Sequence, residues 1–193
     1  MKKSKWVLIA ALVLVVLWGV GVYNNMVVKE EGVSKAWGDV ESMYQRRADL
    51  IPNLVNTVKG YASHESETLQ AVVDARAKAS QISIDASNMT AEQLKEFQAA
   101  QKEIGGALSR LIAISEAYPD LKANQNFLEL QSQLEGTENR IAVERRNFNE
   151  AVNNLNSYSR RFPQKLIAML FGFEDKPYFE SEEGSNVAPV VEF

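Results

Sequence analysis

Few residues in this chain are equipped for chemistry. His64 is the only histidine, set in Ser63-His64-Glu65 with Glu67 just beyond, and cysteine is absent. A hydroxyl, an imidazole and carboxylates this close suggest a hydrolytic relay in which His64 works with Glu65 or Glu67. The plainer alternative is an exposed residue in a turn between helices. A single imidazole excludes metal sites and relays that need two, including the paired Glu-x-x-His of di-iron bundles. The chain also lacks a Gly-x-Ser-x-Gly elbow, a phosphate-binding glycine loop and an HExxH pair. We therefore expect no catalytic, cofactor-binding or metal-ligating residues and no enzymatic activity.

The other conspicuous groups suit recognition. Arginine doublets stand at Arg46-Arg47, Arg145-Arg146 and Arg160-Arg161. Their guanidinium forks could dock acidic partners or lipid headgroups, or form helix-surface ion pairs with Glu41, Asp49, Glu144 or Glu150. Asn147, Asn149, Asn153, Asn154 and Asn156 crowd one segment. Asparagine is a mediocre helix former, so some of these should make specific tertiary or intersubunit hydrogen bonds. The candidate interaction surface is Arg46, Arg47, Arg145, Arg146, Asn149 and Asn153. Asn88-Met89-Thr90 matches a glycosylation sequon, but Thr90 and Gln93 also fit a capping box, the preferred reading.

These residues must be positioned by helices, and the first helix meets a membrane. Trp6 to Tyr23 carries no charge and follows Lys2, Lys3 and Lys5. At 1.5 Å per residue it reaches ~27 Å, close to the ~30 Å hydrocarbon core of a bilayer. The run is longer than a signal peptide's apolar region, and Gly19 and Gly21 make a poor cleavage site, so a retained anchor is expected. Without cysteine, attachment as a lipoprotein through an N-terminal Cys is excluded. Trp6, Trp18 and Tyr23 sit at the span ends as interfacial anchors would.

The positive-inside rule puts residues 1–5 in the cytoplasm and the body in the periplasm or outside the cell, with a single pass through a bacterial cytoplasmic membrane. After the span the chain keeps all 25 acidic residues and all but three of the 21 basic ones, a net charge of −7. Nucleic acid is thereby an unsuitable partner.

Periodicity makes the body helical. Val33, Trp37, Val40, Tyr44, Ala48, Ile51, Leu54, Val58 and Tyr61 repeat at three- and four-residue steps, and Trp37 should pack in the core. Pro52 predicts a kink near Ala48 to Ile51. Gly60 and Ser63 end that helix. A second carries Leu69, Val72, Val73, Arg76, Ala79 and Ile82, and Asp85 to Asn88 makes a turn. A third carries Leu94, Phe97, Gln101, Ile104, Leu108 and Leu111 and closes at Pro119. The pair Gly105-Gly106 costs about 1 kcal/mol per residue relative to alanine, which predicts close approach of a neighbouring helix, or else a local break. A fourth runs from Asn124 to about Tyr158 with Phe127, Leu130, Leu134, Ile141, Phe148, Val152 and Leu155. Leu166 to Phe171 forms a short apolar helix or hook.

The expected fold is all-α: a transmembrane helix at 6–23, an elongated antiparallel four-helix bundle at 24–172 and an irregular tail at 173–193. Intermolecular coiled-coil packing is the alternative way to hide the stripes.

The chain also resembles the LemA family. The resemblance rests on Tyr23-Asn24, Ala36-Trp37-Gly38-Asp39-Val40, and the run from Tyr44 through Pro52 to Val55. It continues in Lys59-Gly60-Tyr61, His64-Glu65, Ala75-Arg76, Tyr118-Pro119-Asp120-Leu121-Lys122-Ala123, Asn126-Phe127, Thr137-Glu138-Asn139-Arg140-Ile141, Arg145-Arg146-Asn147-Phe148-Asn149 and Phe162-Pro163. Phe148 stands where tyrosine is expected in many relatives. The resemblance implies a bacterial single-pass membrane protein with a long helical bundle and no assigned catalytic residues. Together these features predict a membrane-anchored scaffold whose partners are the lipid bilayer, further copies of itself and other envelope proteins. Adaptor or regulator of a membrane protease is the alternative role.

Overall fold

The computed structural model describes residues 2–180, with side chains from Lys5 onward; residues 181–193, including Gly184 and Pro189, and the side chains of Lys2 and Lys3 lie outside the described residues. Among the described residues 84% are helical and there is no strand. The order is α1 (Lys2–Tyr61), α2 (Ser66–Ala79), a 3-10 turn (Ala86–Asn88), α3 (Ala91–Ile114), a 3-10 turn (Ser115–Ala117), α4 (Pro119–Lys122), α5 (Gln125–Ser159) and α6 (Gln164–Phe171).

The apolar segment and the first body helix form one element, α1, 60 residues long. Nothing between Tyr23 and Val33 can stop it: Met26, Lys29, Glu30 and Glu31 favour helix, and Gly32 is a lone glycine. The N-terminal part of α1 is the one segment among the described residues long and apolar enough to cross a membrane, and only 6% of that window is buried.

From Val22 onward one stripe of α1 turns inward through Met26, Val33, Trp37, Val40, Tyr44, Arg47, Ile51, Leu54 and Val58. This corrects the expected stripe at two places. Arg47 rather than Ala48 occupies the buried position, because the three-four alternation from Tyr44 to Ile51 passes through 47. Ala62 is buried in place of Tyr61, which is 45% exposed. In α2 the buried residues are Leu69, Val72, Ala75 and Ala79, and Val73 faces solvent.

The core lies in three stretches along α1. At the far end, Ile51, Leu54 and Val58 meet α2, α3, Leu121 and the start of α5. In the middle, Trp37 packs edge-on to Phe97 of α3 at 5.2 Å and Phe148 of α5 at 5.7 Å between ring centres. Such aromatic pairs add about 0.5–1.5 kcal/mol each beyond the area they bury. Nearest the apolar segment, Val22 and Met26 meet Ala168 of α6. Successive partners along α1 come in reverse order along α5: Trp37 with Phe148, Arg47 with Glu138, and Tyr61 with Asn124.

Local chemistry explains the boundaries. Thr90 and Gln93 form both bonds of the capping box. Asn124 caps α5 by accepting from the Phe127 amide at 3.0 Å. Asp85 accepts from the Ser87 amide and from Asn88, bonds that hold its carboxyl below the usual range. The helix α1 passes through Pro52 without interruption. Proline cannot donate to the carbonyl four residues back, and that carbonyl, of Ala48, accepts instead from Arg76 Nε of α2 at 2.9 Å.

The glycine pair does not behave as expected. The helix α3 is unbroken at Gly105-Gly106, and a Cβ at either position would meet no atom within 4 Å. Close helix approach is therefore not the reason for these glycines.

Candidate functional site

His64 lies exposed in the turn between α1 and α2. Its neighbour Glu65 accepts from the Tyr118 hydroxyl at 3.1 Å, a bond that raises the Tyr118 pKa. The polar centre of the molecule is elsewhere. Arg47, 3% exposed, reaches from α1 to two other helices. Its Nη1 donates to Glu138 of α5 at 2.7 Å, and its Nη2 donates to the Gln101 side chain at 2.5 Å and main chain at 3.1 Å on α3. Its guanidinium lies 5.1 Å from the Tyr44 ring centre. Burial raises the Tyr44 pKa, while Arg145 and Arg47 oppose that shift. Gln101, the polar residue in the α3 stripe, is thus the acceptor that permits a buried arginine.

Arg46 stays on the surface. It lines a shallow open groove with Gly38, Glu41, Met43, Asp49 and Gln133, which continues along α1 and α5 past Asn53, Thr57 and Glu129. Burial raises the Glu41 pKa there, and the Trp37 indole N–H one turn away partly offsets it. That approach falls outside hydrogen-bond geometry, so Trp37 Nε1 has no partner among the described residues. The ion pairs anticipated for the arginine doublets do not form among the described residues. Arg47 pairs with Glu138 and Arg160 with Asp175, not with Glu41, Asp49, Glu144 or Glu150. Both partners lie outside the arginines' own helices, Glu138 on α5 and Asp175 in the segment after α6.

Residues 36–193, including every motif just described around Trp37, Arg47, Pro52 and Arg76, match the LemA family. The chain belongs to the LemA family. Among relatives, Magnetosome protein MamQ of Magnetospirillum gryphiswaldense is 27% identical, over 88% of this chain and 68% of that protein. Magnetosome protein MamQ 2 of Paramagnetospirillum magneticum is 26% identical, over 88% and 68%. Protein LemA of Metamycoplasma hominis is 25% identical, over 87% and 73%.

In this LemA-family protein two of the α5 asparagines, Asn149 and Asn156, find a partner in their own chain. Residues 173–180 follow α6 without regular secondary structure and lie along α5. The Asn149 amide donates to the Phe179 carbonyl at 2.9 Å and accepts from its N–H at 2.8 Å. Asn156 does the same with Lys176, at 2.9 and 3.0 Å. Each side chain reproduces the two-bond pairing of a strand neighbour. The spacings agree: seven helical residues rise ~10.5 Å, and three extended residues span ~10 Å. Arg145 donates to the Glu180 carbonyl at 3.1 Å and stacks over Phe179 at 4.8 Å, while Arg160 holds Asp175.

Phe179 is delivered under Trp37 as the last wall of the middle core. Lys176, 6% exposed, reaches Glu30 of α1 at 3.1 Å and also donates to the Ser87 carbonyl. Of the six residues proposed as an interaction surface, Arg46, Arg146 and Asn153 are exposed. Arg47 is inside the bundle, and Arg145 and Asn149 hold the tail. The spacing of Asn149 and Asn156 was the available signal for this strap. Lys176 and Phe179 gave none, because an irregular segment has no period to read.

Proposed function

We propose that this protein is a membrane-anchored, non-enzymatic scaffold of the bacterial envelope. It is an elongated antiparallel four-helix bundle on a single span, with the N-terminus in the cytoplasm and the body in the periplasm or outside the cell. It self-associates or binds envelope proteins through outer helix faces, and a membrane protease is one partner of the right kind. The supporting observation is the continuity of α1: the apolar segment passes into the buried stripe of the body with no flexible joint. A body so held presents its faces at fixed height and tilt, which concentrates and aligns neighbouring copies.

The test is crosslinking in intact membranes, followed by sizing of the detergent-solubilised full chain. Oligomers or adducts that are lost on charge reversal at the exposed Arg46 and Arg146 are expected. Monomers alone, with no partner recovered, would overturn the scaffold reading. Protease accessibility in intact cells tests the orientation.

A further inference from the structure

The short helix α6 has two apolar faces, and only one is used inside the protein. Its inner face lies on α1 at the end of the apolar segment. Ile167 Cδ1 is 3.6 Å from the Cβ position of Gly19, and Ala168 is buried with Val22 and Met26. The Tyr23 ring packs on Phe171 at 4.9 Å and on Phe173 at 5.6 Å. Its outer face shows Leu166, Met169 and Leu170, each 57–74% exposed, with Phe171 at its edge and Phe162 82% exposed.

Leu166, Met169 and Leu170 follow the three- and four-residue steps of a single helical stripe. A contiguous exposed apolar patch of this kind marks a protein or membrane contact. It adjoins the lipid-facing surface of α1, and exposed cations Arg161 and Lys165 stand beside it. Nearby Asp175 is already paired with Arg160, which leaves Glu174 as the opposing charge. Gly172, in the left-handed region at φ 74°, ends α6 and returns the chain to the clamp at Asn156. The helix is thus held at both ends against the span exit. At ~12 Å it cannot cross a bilayer.

We propose that α6 is a second membrane contact. Its outer face lies in the lipid interface beside residues 19–26, with Arg161 and Lys165 toward the headgroups. This rests on the reading of α1 as a span and adds an interfacial hook to it.

The chain has no cysteine, so single-cysteine variants can be labelled directly. Full-length Met169→Cys and Leu170→Cys carry an environment-sensitive fluorophore in vesicles of phosphatidylcholine and phosphatidylglycerol that contain headgroup- or chain-attached quenchers. Val13→Cys reports the span, and Leu128→Cys, on an exposed part of α5, reports water. Several-fold stronger quenching at 169 and 170 than at 128, greatest with the shallow quencher, is expected. Quenching at 13 with 169 and 170 behaving like 128 overturns the hook and leaves the span standing. No quenching at 13 removes both. Labels at 169 and 170 shielded from lipid quenchers and aqueous iodide alike, with disulfide dimers through those positions, would assign the patch to a second copy and overturn lipid insertion.

Discussion

Pro52 and Arg76 should be energetically one unit. Proline leaves the Ala48 carbonyl without its helical donor, and Arg76 Nε supplies one from α2 at 2.9 Å. A hydrogen bond from a charged donor contributes about 1.5–3 kcal/mol. Ala48 and Arg76 are both half-buried, which screens the charge and favours the lower part of that range, about 2 kcal/mol. Arg76→Met, which keeps most of the aliphatic stem, should therefore lower the Tm by ~4–8 °C for a chain of this length. In a Pro52→Ala background residue 52 donates to Ala48 again, and Arg76→Met should then cost only about 0.5 kcal/mol. Effects of proline removal on the unfolded chain appear in both arms of the cycle and cancel. The assay is urea unfolding of the four full-length chains in mild detergent, followed by circular dichroism. Losses that add to within about 0.5 kcal/mol would refute the pairing.

The remaining expectations use the same assay unless stated. Gly106→Ala meets open space in an unbroken helix and should stabilise by about 1 kcal/mol, with Gly105→Ala alike; a loss at either would reveal a need for flexibility there. Asn156→Ala removes both bonds to Lys176 and should cost about 1–3 kcal/mol, with faster amide hydrogen exchange at Lys176 and Phe179; unchanged exchange would show that the tail is held by Phe179 packing alone. Glu138→Ala leaves Arg47 buried with only Gln101 and should cost about 2 kcal/mol, whereas Arg47→Met should be near neutral; the reverse order would contradict the account of this pair.

The helices were legible because burial imposes a period. Their ends at Thr90 and Asn124, the core role of Trp37, and the short helix after Pro163 all follow from local rules. Arg47 was misplaced because a charge at a core position is read as a gap in the stripe, and its compensation by Gln101 and Glu138 is spread over three helices. The tail was opaque for a different reason. An extended segment that binds helix side chains by its backbone leaves almost no trace in its own residue types, so only the seven-residue spacing of Asn149 and Asn156 announced it. Gly105-Gly106 departs from its expectation because a helix-weakening pair need not have a compensating contact, and nothing in the surrounding packing explains it.

The absence of a joint between apolar segment and body bears directly on what the proposed scaffold could do. From Asn24 to Tyr61 the first helix extends ~57 Å, so a ~20° tilt of the span carries its far end sideways by ~20 Å. A tether would decouple the two motions; a continuous helix converts one into the other. The companion contacts oppose bending along the way, with Lys176 bridging Glu30 to the Ser87 carbonyl and Arg47 joining three helices at mid-length. The proposed hook at Gly19 lies off the axis of α1, so seating it in the lipid would resist rotation about that axis as well as tilt. In the proposed scaffold, height, lean and facing direction of the outer surfaces would then all be set at the membrane, and partners would need only to meet faces that already point toward them.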